Sequence, residues 1–472
     1  MSFVSWAFAI LFTVVFAARL TVGRRKIERP YVAILLVASL VFYGWHVPAY
    51  LLVLVGAALI DFVAARAMGA PDPGRQQRRR ALLIVSLVAN LGLLAYFKYG
   101  NFLAAAAEDV AALLGGSLRV SAITLALPMG ISFYTFQTLS YTIDVYRGEL
   151  APVTSFAKFL LFISFFPQLV AGPIVRASEF LPQMPRPRRL QLRVFYEGVW
   201  LVIAGLFLKM VCADNLAAYV NEYWARGAQP ERDGTFVLWL ALMFAGQIFA
   251  DFCGYSTIAR GLGYLLGYRF PINFNAPYVA TTFKNFWERW HITLSRWLRD
   301  YLYLPLGGNR GSRARTLLNL MTVMLLGGLW HGAAYTYIVW GGIHGACLAL
   351  ERVLQLHRPN GPYRAPWMRG AWALVVQAAV LVAWVFFRSD TVGNAVLFLG
   401  NLLGPWRVPP PWMLASLAFL LPLVAMHAHT WLEEHRLVPP LGATAKAGLA
   451  AGMTYGILSL YGSTSDFIYF QF

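Results

Sequence analysis

Apolar stretches interrupted by short polar or basic segments run the length of this chain. Each is long enough to cross a hydrocarbon core roughly 30 Å thick. The pattern predicts membrane spans near 3–20, 31–44, 49–66, 81–98, 121–145, 194–212, 234–252, 316–331, 335–350, 370–387, 411–430 and 442–460. Two segments depart from it. Residues 155–175 are apolar but contain Pro167, Gly172 and Pro173, as in a re-entrant segment sheltered by protein. Residues 283–304 set Trp287, Trp290, His291, Leu294, Trp297, Leu298 and Tyr301 at three- and four-residue spacing. Lys284, Glu288, Arg289, Arg296, Arg299 and Asp300 fall mostly opposite, which predicts one amphipathic helix lying in the membrane interface. The turn residues of 305–311 end it. The expected fold is an all-α polytopic membrane protein. It has about 11–12 transmembrane helices plus re-entrant and interfacial helices, in a single integral membrane domain over residues 1–472.

Composition narrows the class. Of 472 residues, 59% are hydrophobic and 13% charged, about half the charged share of an ordinary soluble domain. The net charge of +18 lacks a soluble domain on which to present a basic face, which excludes nucleic acid as a partner. Basic residues gather instead in the loops at 21–29, 66–80, 176–193, 284–315 and 352–369, whereas 213–233 is net acidic. The positive-inside rule then puts the former in the cytoplasm and the N-terminus outside, with Arg24, Arg25, Lys26 and Arg29 following an uncleaved first span. Cys212, Cys253 and Cys347 are isolated and predict neither a disulfide nor a metal site.

Against that background His331 stands out, because apolar residues flank it for a helix length on either side. A charge at a bilayer centre costs on the order of 3 kcal/mol even on the lenient insertion scale. A neutral imidazole keeps a donor and an acceptor nitrogen and is cheaper, and it is also the form a general base takes. The residue alone is read equally well as a structural imidazole bonded to a carbonyl. Gly328, Gly332, Gly341 and Gly345 are spaced for close helix packing, which would hold His331 in one geometry. His291 is the second candidate, although an interfacial histidine is commonplace. His344 is read as packing, and Asp61 and Lys98 as groups that snorkel or pair near span ends. Tyr134, Gln137, Tyr141 and Asp144 share one helical face, as a stripe facing a wet cavity or a bundle interior would. HExxH, Walker A and GxSxG patterns are absent, and neither His291 nor His331 has an aspartate five residues on.

Several ordered blocks carry a resemblance. They are 130–137 (GISFYTFQ), 166–176 (FPQLVAGPIVR), 251–256 (DFCGYS), 269–275 (RFPINFN), 286–291 (FWERWH), 299–310 (RDYLYLPLGGNR) and 328–333 (GLWHGA). Together they resemble the membrane-bound O-acyltransferases, and most closely the bacterial alginate O-acetylation (AlgI-like) branch. The match spans a signature core of about 40–390, with 1–40 and 391–472 as peripheral spans. The resemblance implies His331 as the catalytic histidine and His291 as the second signature histidine. It implies an acetyl group moved from a cytoplasmic thioester, acetyl-CoA, across a bacterial inner membrane toward a polysaccharide, with a periplasmic acetyltransferase partner completing delivery and no bound cofactor. Tyr134, Gln137, Tyr141, Asp144, Trp330, Asn273 and Asn275 are then candidates for substrate binding. Arg296, Arg299 and Arg310 are candidates for attracting a coenzyme's phosphates, with headgroup anchoring the alternative. Two rival readings stay open: the D-alanyl branch of the same family, using a carrier-protein thioester, and a sugar or lipid transporter.

Overall fold

The structure, a computed structural model, describes residues 1–22, 28–121, 127–169, 172–184, 190–229, 232–354, 365–462 and 467–468. Among them there is no strand. The helices are α1 Trp6–Val22, α2 Glu28–Gly44, α3 Tyr50–Met68, α4 Gln76–Leu94, α5 Gly100–Leu113, α6 Ile131–Arg147 and α7 Phe156–Ser164. They continue with α8 Phe166–Leu169, α9 Ala177–Phe180, α10 Leu192–Phe207, α11 Asp214–Gly227, α12 Gly234–Leu266, α13 Phe283–Arg289 and α14 Ile292–Leu298. The remainder are α15 Arg313–His331, α16 Tyr335–Val353, α17 Pro366–Arg388, α18 Val392–Gly400, α19 Pro411–Ser416, α20 Leu421–Glu434 and α21 Ala443–Leu460.

The chain is an all-α polytopic membrane protein. Six helical stretches among the described residues are long and apolar enough to cross a bilayer: Tyr50–Met68, Pro73–Leu113, Leu192–Gly227, Gly234–Leu266, Trp367–Arg388 and Pro411–Glu434. Trp6–Thr21, Pro30–Gly44 and Val392–Leu403 are shorter apolar helices. Helices also stand at the other expected spans. Of these, α6 starts only at Ile131, and α15, α16 and α21 carry glycine, threonine and charged residues that lower their hydropathy. The start of the expected 121–145 span, the basic residues Arg24, Arg25, Lys26, Arg186, Arg188 and Arg189, and the last four residues fall outside the described residues.

The chain divides into two compact units, 1–202 with 258–271 and 203–257 with 272–472. In the first, residues 156–169 form α7 and α8, interrupted at Phe165, where ψ of 109° leaves the helical region, and Pro167 falls in the first turn of α8, where a missing N–H is tolerated. Asp61 neither snorkels nor pairs with a cation among the described residues. It is sealed between α3, α4 and α6, where Ser86 donates to it, Asn90 Nδ2 bonds both carboxylate oxygens at 2.9 Å, and Thr142 approaches at 3.4 Å. A buried carboxylate persists only when hydrogen bonds replace its water, and two neighbouring helices, α4 and α6, supply them here.

In the second unit, α15 and α16 form a hairpin whose backbones nearly touch, as the glycine spacing predicts. A Cβ on Gly328 would lie 2.2 Å from the Tyr337 carbonyl oxygen, and one on Gly341 2.3 Å from that of Met324. Gly332 faces the Tyr337 ring in the same way. Gly328→Ala therefore forces the helices apart and is expected to cost roughly 1–3 kcal/mol, as overpacking does. Gly342→Ala meets only Leu325 at 3.7 Å and should leave the melting temperature within about a degree or raise it. Thermal unfolding of the two variants side by side checks this.

The expected single helix over 283–304 is instead two. It ends at Arg289, Trp290 is extended, His291 takes left-handed angles (φ 41°, ψ 53°), and α14 starts at Ile292. The burial pattern holds despite the break: Trp290, His291, Leu294, Trp297, Leu298 and Tyr301 are all buried, while Lys284, Glu288, Arg296 and Arg299 are exposed. These apolar residues face protein rather than headgroups. Two anchors hold the start of α13. Thr282 Oγ1 accepts from the Asn285 N–H at 2.9 Å, and the buried Glu351 carboxylate accepts from the N–H groups of Phe283 (2.7 Å) and Lys284 (3.1 Å). An anion at a helix N-terminus is favourable, and Trp372 Nε1 donates to the same carboxylate at 2.8 Å.

Candidate active site

His291 owes its position to the break before α14. Left-handed angles cost a residue with a Cβ about 1–2 kcal/mol, and such strain persists where neighbours over-determine it. Here the neighbour is Asn273. Its carbonyl oxygen accepts from the Ile292 N–H at 2.9 Å, and its side-chain Oδ1 lies 3.2 Å from His291 Nδ1. The Thr293 N–H (3.3 Å) and hydroxyl (2.9 Å) reach that same oxygen, and Asn273 Nδ2 donates to Ser256 at 3.1 Å. A backbone N–H can only donate, so the atom it meets is the amide oxygen. His291 must then donate from Nδ1, which leaves the lone pair on Nε2, the tautomer a base requires.

The surroundings keep that ring neutral. Burial pushes its pKa down from 6.5 to about 3. Below about pH 6.5 the unfolded chain binds a proton that the folded ring refuses, so this group lowers stability as pH falls from there toward 3. Phe252 meets the ring edge-on with centroids 4.6 Å apart.

His331 closes α15, buried to 3% exposure. Its ring lies 6.5 Å from that of His291, centroid to centroid. Trp330 (5.0 Å), Trp340 (4.9 Å) and Phe387 (5.3 Å) wall it with edge-on contacts. Two histidines from separate segments thus meet in one aromatic chamber, with Trp330 between them at 5.9 Å from His291. Trp384, which packs on Trp290, Trp340 and Phe387, also walls an apolar cavity of about 730 Å³.

The remaining candidates distribute differently. Tyr134, Gln137, Tyr141 and Asp144 are all buried, but in the first unit, whereas both histidines, Trp330 and Asn273 belong to the second. The Tyr141 hydroxyl accepts from the Val153 N–H at 3.0 Å and Gln137 Nε2 donates to the Val175 carbonyl at 3.5 Å, so both tie α6 to the segments after it. Asn275 joins a latch. Arg289 grips Glu434 through two nitrogens, at 2.9 and 2.6 Å, and donates to the Asn275 carbonyl, while Asn275 Nδ2 reaches Glu434 at 3.2 Å. Arg296, Arg299 and Arg310 are exposed, and Arg299 pairs with Asp300 at 2.6 Å. Among the described residues no cluster of three or more metal-ligating side chains occurs.

His344 packs among aromatic rings, as read from the sequence. It lies against Trp340 (4.8 Å) and Trp287 (5.1 Å), one ring away from His331. Its spacing from His331 gives no hint of this, because Trp287 arrives from a distant segment.

Asn273→Leu removes the oxygen that His291 Nδ1 and the Thr293 N–H meet, and should cost about 1–3 kcal/mol for each bond lost. Denaturation of the variant, with Asn273→Asp as the geometry-preserving control, measures it.

The model of the membrane-bound O-acyltransferase family matches residues 150–388, which contain both histidines. A probable alginate O-acetylase of Pseudomonas aeruginosa is 40% identical over 77% of this chain and 68% of its own length. A peptidoglycan O-acetyltransferase of Helicobacter pylori is 35% identical over 78% of this chain and 73% of its own. A teichoic acid D-alanyltransferase of Bacillus subtilis is 26% identical over 55% of this chain and 67% of its own.

Proposed function

Because this chain belongs to the membrane-bound O-acyltransferase family, we propose that it moves an acetyl group from cytoplasmic acetyl-CoA across the membrane toward hydroxyls of an exported or cell-surface polysaccharide, with His331 as general base. The observation that carries the reading is the meeting of two buried imidazoles 6.5 Å apart, one of them bonded through Nδ1 to Asn273. His331 takes the proton of the incoming hydroxyl as its oxygen attacks the thioester carbonyl, and returns it to the departing thiolate. His291, fixed in its tautomer and kept uncharged, orients the incoming hydroxyl. Sealing both rings among tryptophans and phenylalanines excludes bulk water, which would otherwise hydrolyse the thioester.

The protein is a membrane acyltransferase, and that removes the transporter alternative. The acetyl branch is preferred over the D-alanyl branch because relatives named for O-acetylation match at 35–40% identity over more than three-quarters of this chain, against 26–30% over about half of it for D-alanyltransferases. The basic loops support an inner-membrane location with the N-terminus in the periplasm. A periplasmic acetyltransferase receives the group from this protein and delivers it to the polysaccharide. Exposed Arg296, Arg299 and Arg310 draw the coenzyme's phosphates to the cytoplasmic face.

Purified protein in nanodiscs, supplemented with periplasmic extract to supply the acetyltransferase and given radiolabelled acetyl-CoA or a D-alanyl carrier-protein thioester with a candidate polysaccharide, tests the donor. Label should pass from acetyl-CoA and not from the carrier thioester. The reverse pattern assigns the D-alanyl branch.

A further inference from the structure

Four buried nitrogens in the ring cluster that reaches His331 through Trp340 have no hydrogen-bond partner among the described residues: Trp287 Nε1, Trp340 Nε1 and both ring nitrogens of His344. Trp340 and His344 are 0% and 1% exposed. The three rings form one cluster, with Trp340 5.7 Å from Trp287, and Trp340 itself lies 4.9 Å from His331. Folded proteins pair nearly all their buried polar atoms, and each exception calls for an explanation. Here four fall in one contiguous group, three of them on α16, which the α15–α16 glycine contacts hold in place, and one on α13, as a preorganised set of donors would. The inventory is specific. Each tryptophan offers an N–H and no acceptor, and a neutral imidazole offers one N–H and one lone pair. Three donors against one acceptor fit an oxygen that gains negative charge.

We infer that Trp340 and His344, with Trp287 behind them, form the subsite that receives the thioester carbonyl oxygen of the acyl donor. The inference rests on the acyl-transfer reading above and adds residues to it. In the step itself the acceptor hydroxyl gives its proton to His331, its oxygen bonds to the carbonyl carbon, and the carbonyl pair moves onto oxygen. The Trp340 and His344 N–H groups meet that oxygen. Return of the pair breaks the carbon–sulfur bond, and the thiolate takes the proton from His331. Donors aimed at an oxyanion in a water-excluded site stabilise the transition state more than the ground state.

The test measures steady-state acetyl transfer from radiolabelled acetyl-CoA and thermal unfolding for wild type, His331→Ala, Trp340→Phe, His344→Leu and His344→Gln. Trp340→Phe and His344→Leu should each lower kcat by roughly 10²–10³-fold, with KM changed by less than about threefold. His344→Leu should melt at or above the wild-type temperature, since it removes nitrogens that bond nothing in the protein. His344→Gln, which restores an N–H, should recover part of kcat and carries the test should the leucine variant not fold. Wild-type kcat in both Trp340→Phe and His344→Leu overturns the inference, as does wild-type kcat in Trp340→Phe where His344→Leu does not fold. If wild type is active and His331→Ala is not, those failures fall on this subsite alone. If wild type transfers no acetyl group, the acyl-transfer reading fails and the subsite with it.

Discussion

His331→Ala is expected to lower acetyl transfer by at least 10³-fold. A positioned general base contributes about 10²–10⁴-fold, and here the same group also returns the proton to the leaving thiolate. Alanine alone leaves room for a rescuing water, since truncation opens a cavity among Trp330, Trp340 and Phe387. The cavity costs stability, on the order of 2–4 kcal/mol by analogy with other large-to-small core changes. His331→Gln separates the two effects. It keeps most of the volume and a hydrogen-bonding end but cannot accept the proton, so its melting point should approach wild type while its rate matches alanine's. Initial rates with radiolabelled acetyl-CoA, normalised to folded protein by size exclusion, decide the matter. A glutamine variant with more than a tenth of wild-type rate would remove His331 from the role of base.

Much of this site was legible in the chain. A histidine between long apolar runs, on a helix with glycines four apart, predicted a buried ring in a tight hairpin, and α15 and α16 form that hairpin. The alternation along 283–304 identified which residues are buried. It missed the break at His291, because three- and four-residue spacing continues in phase across the turn. The break depends on Asn273, whose hydrogen bonds to 291–293 are tertiary. Asn273, read as a candidate residue for substrate, is hydrogen-bonded to the ring that faces it. Glu351 carries no local signal either, for its partners are backbone N–H groups of another segment. Asp61, by contrast, was read from its place near a span end, whereas its surroundings come from Ser86, Asn90 and Thr142 on two other helices. Periodicity reports which face is buried, and it does not report what the face meets.

Removing the charge of Lys209 should produce the largest loss of stability in the second unit. Lys209 Nζ lies 2.8 Å from Asp214 and 2.9 Å from Asp251, and all three side chains are 6% exposed or less. The other Asp251 oxygen accepts from the Ile468 N–H at 2.7 Å, and Phe467 beside it packs on Phe252, the residue that meets His291 edge-on. Lys209→Met keeps most of the length but leaves two carboxylates facing each other in a dry site. Breaking a buried pair by deleting one partner costs about 3–5 kcal/mol, whereas replacing the whole group with apolar residues of similar volume is often neutral. Lys209→Met should therefore melt well below wild type, and Lys209→Met combined with Asp214→Leu and Asp251→Leu should regain most of the loss. The triple variant also releases the Ile468 N–H, so its acetyl-transfer rate reports whether the 467–468 contact supports His291. A rate near wild type makes the ion cluster a device of folding alone, and a rate reduced tenfold or more at restored stability ties it to the placement of Phe252 against the ring. A single variant that melts within about a degree of wild type would mean that the two carboxylates find protons or other partners as readily as they find the lysine.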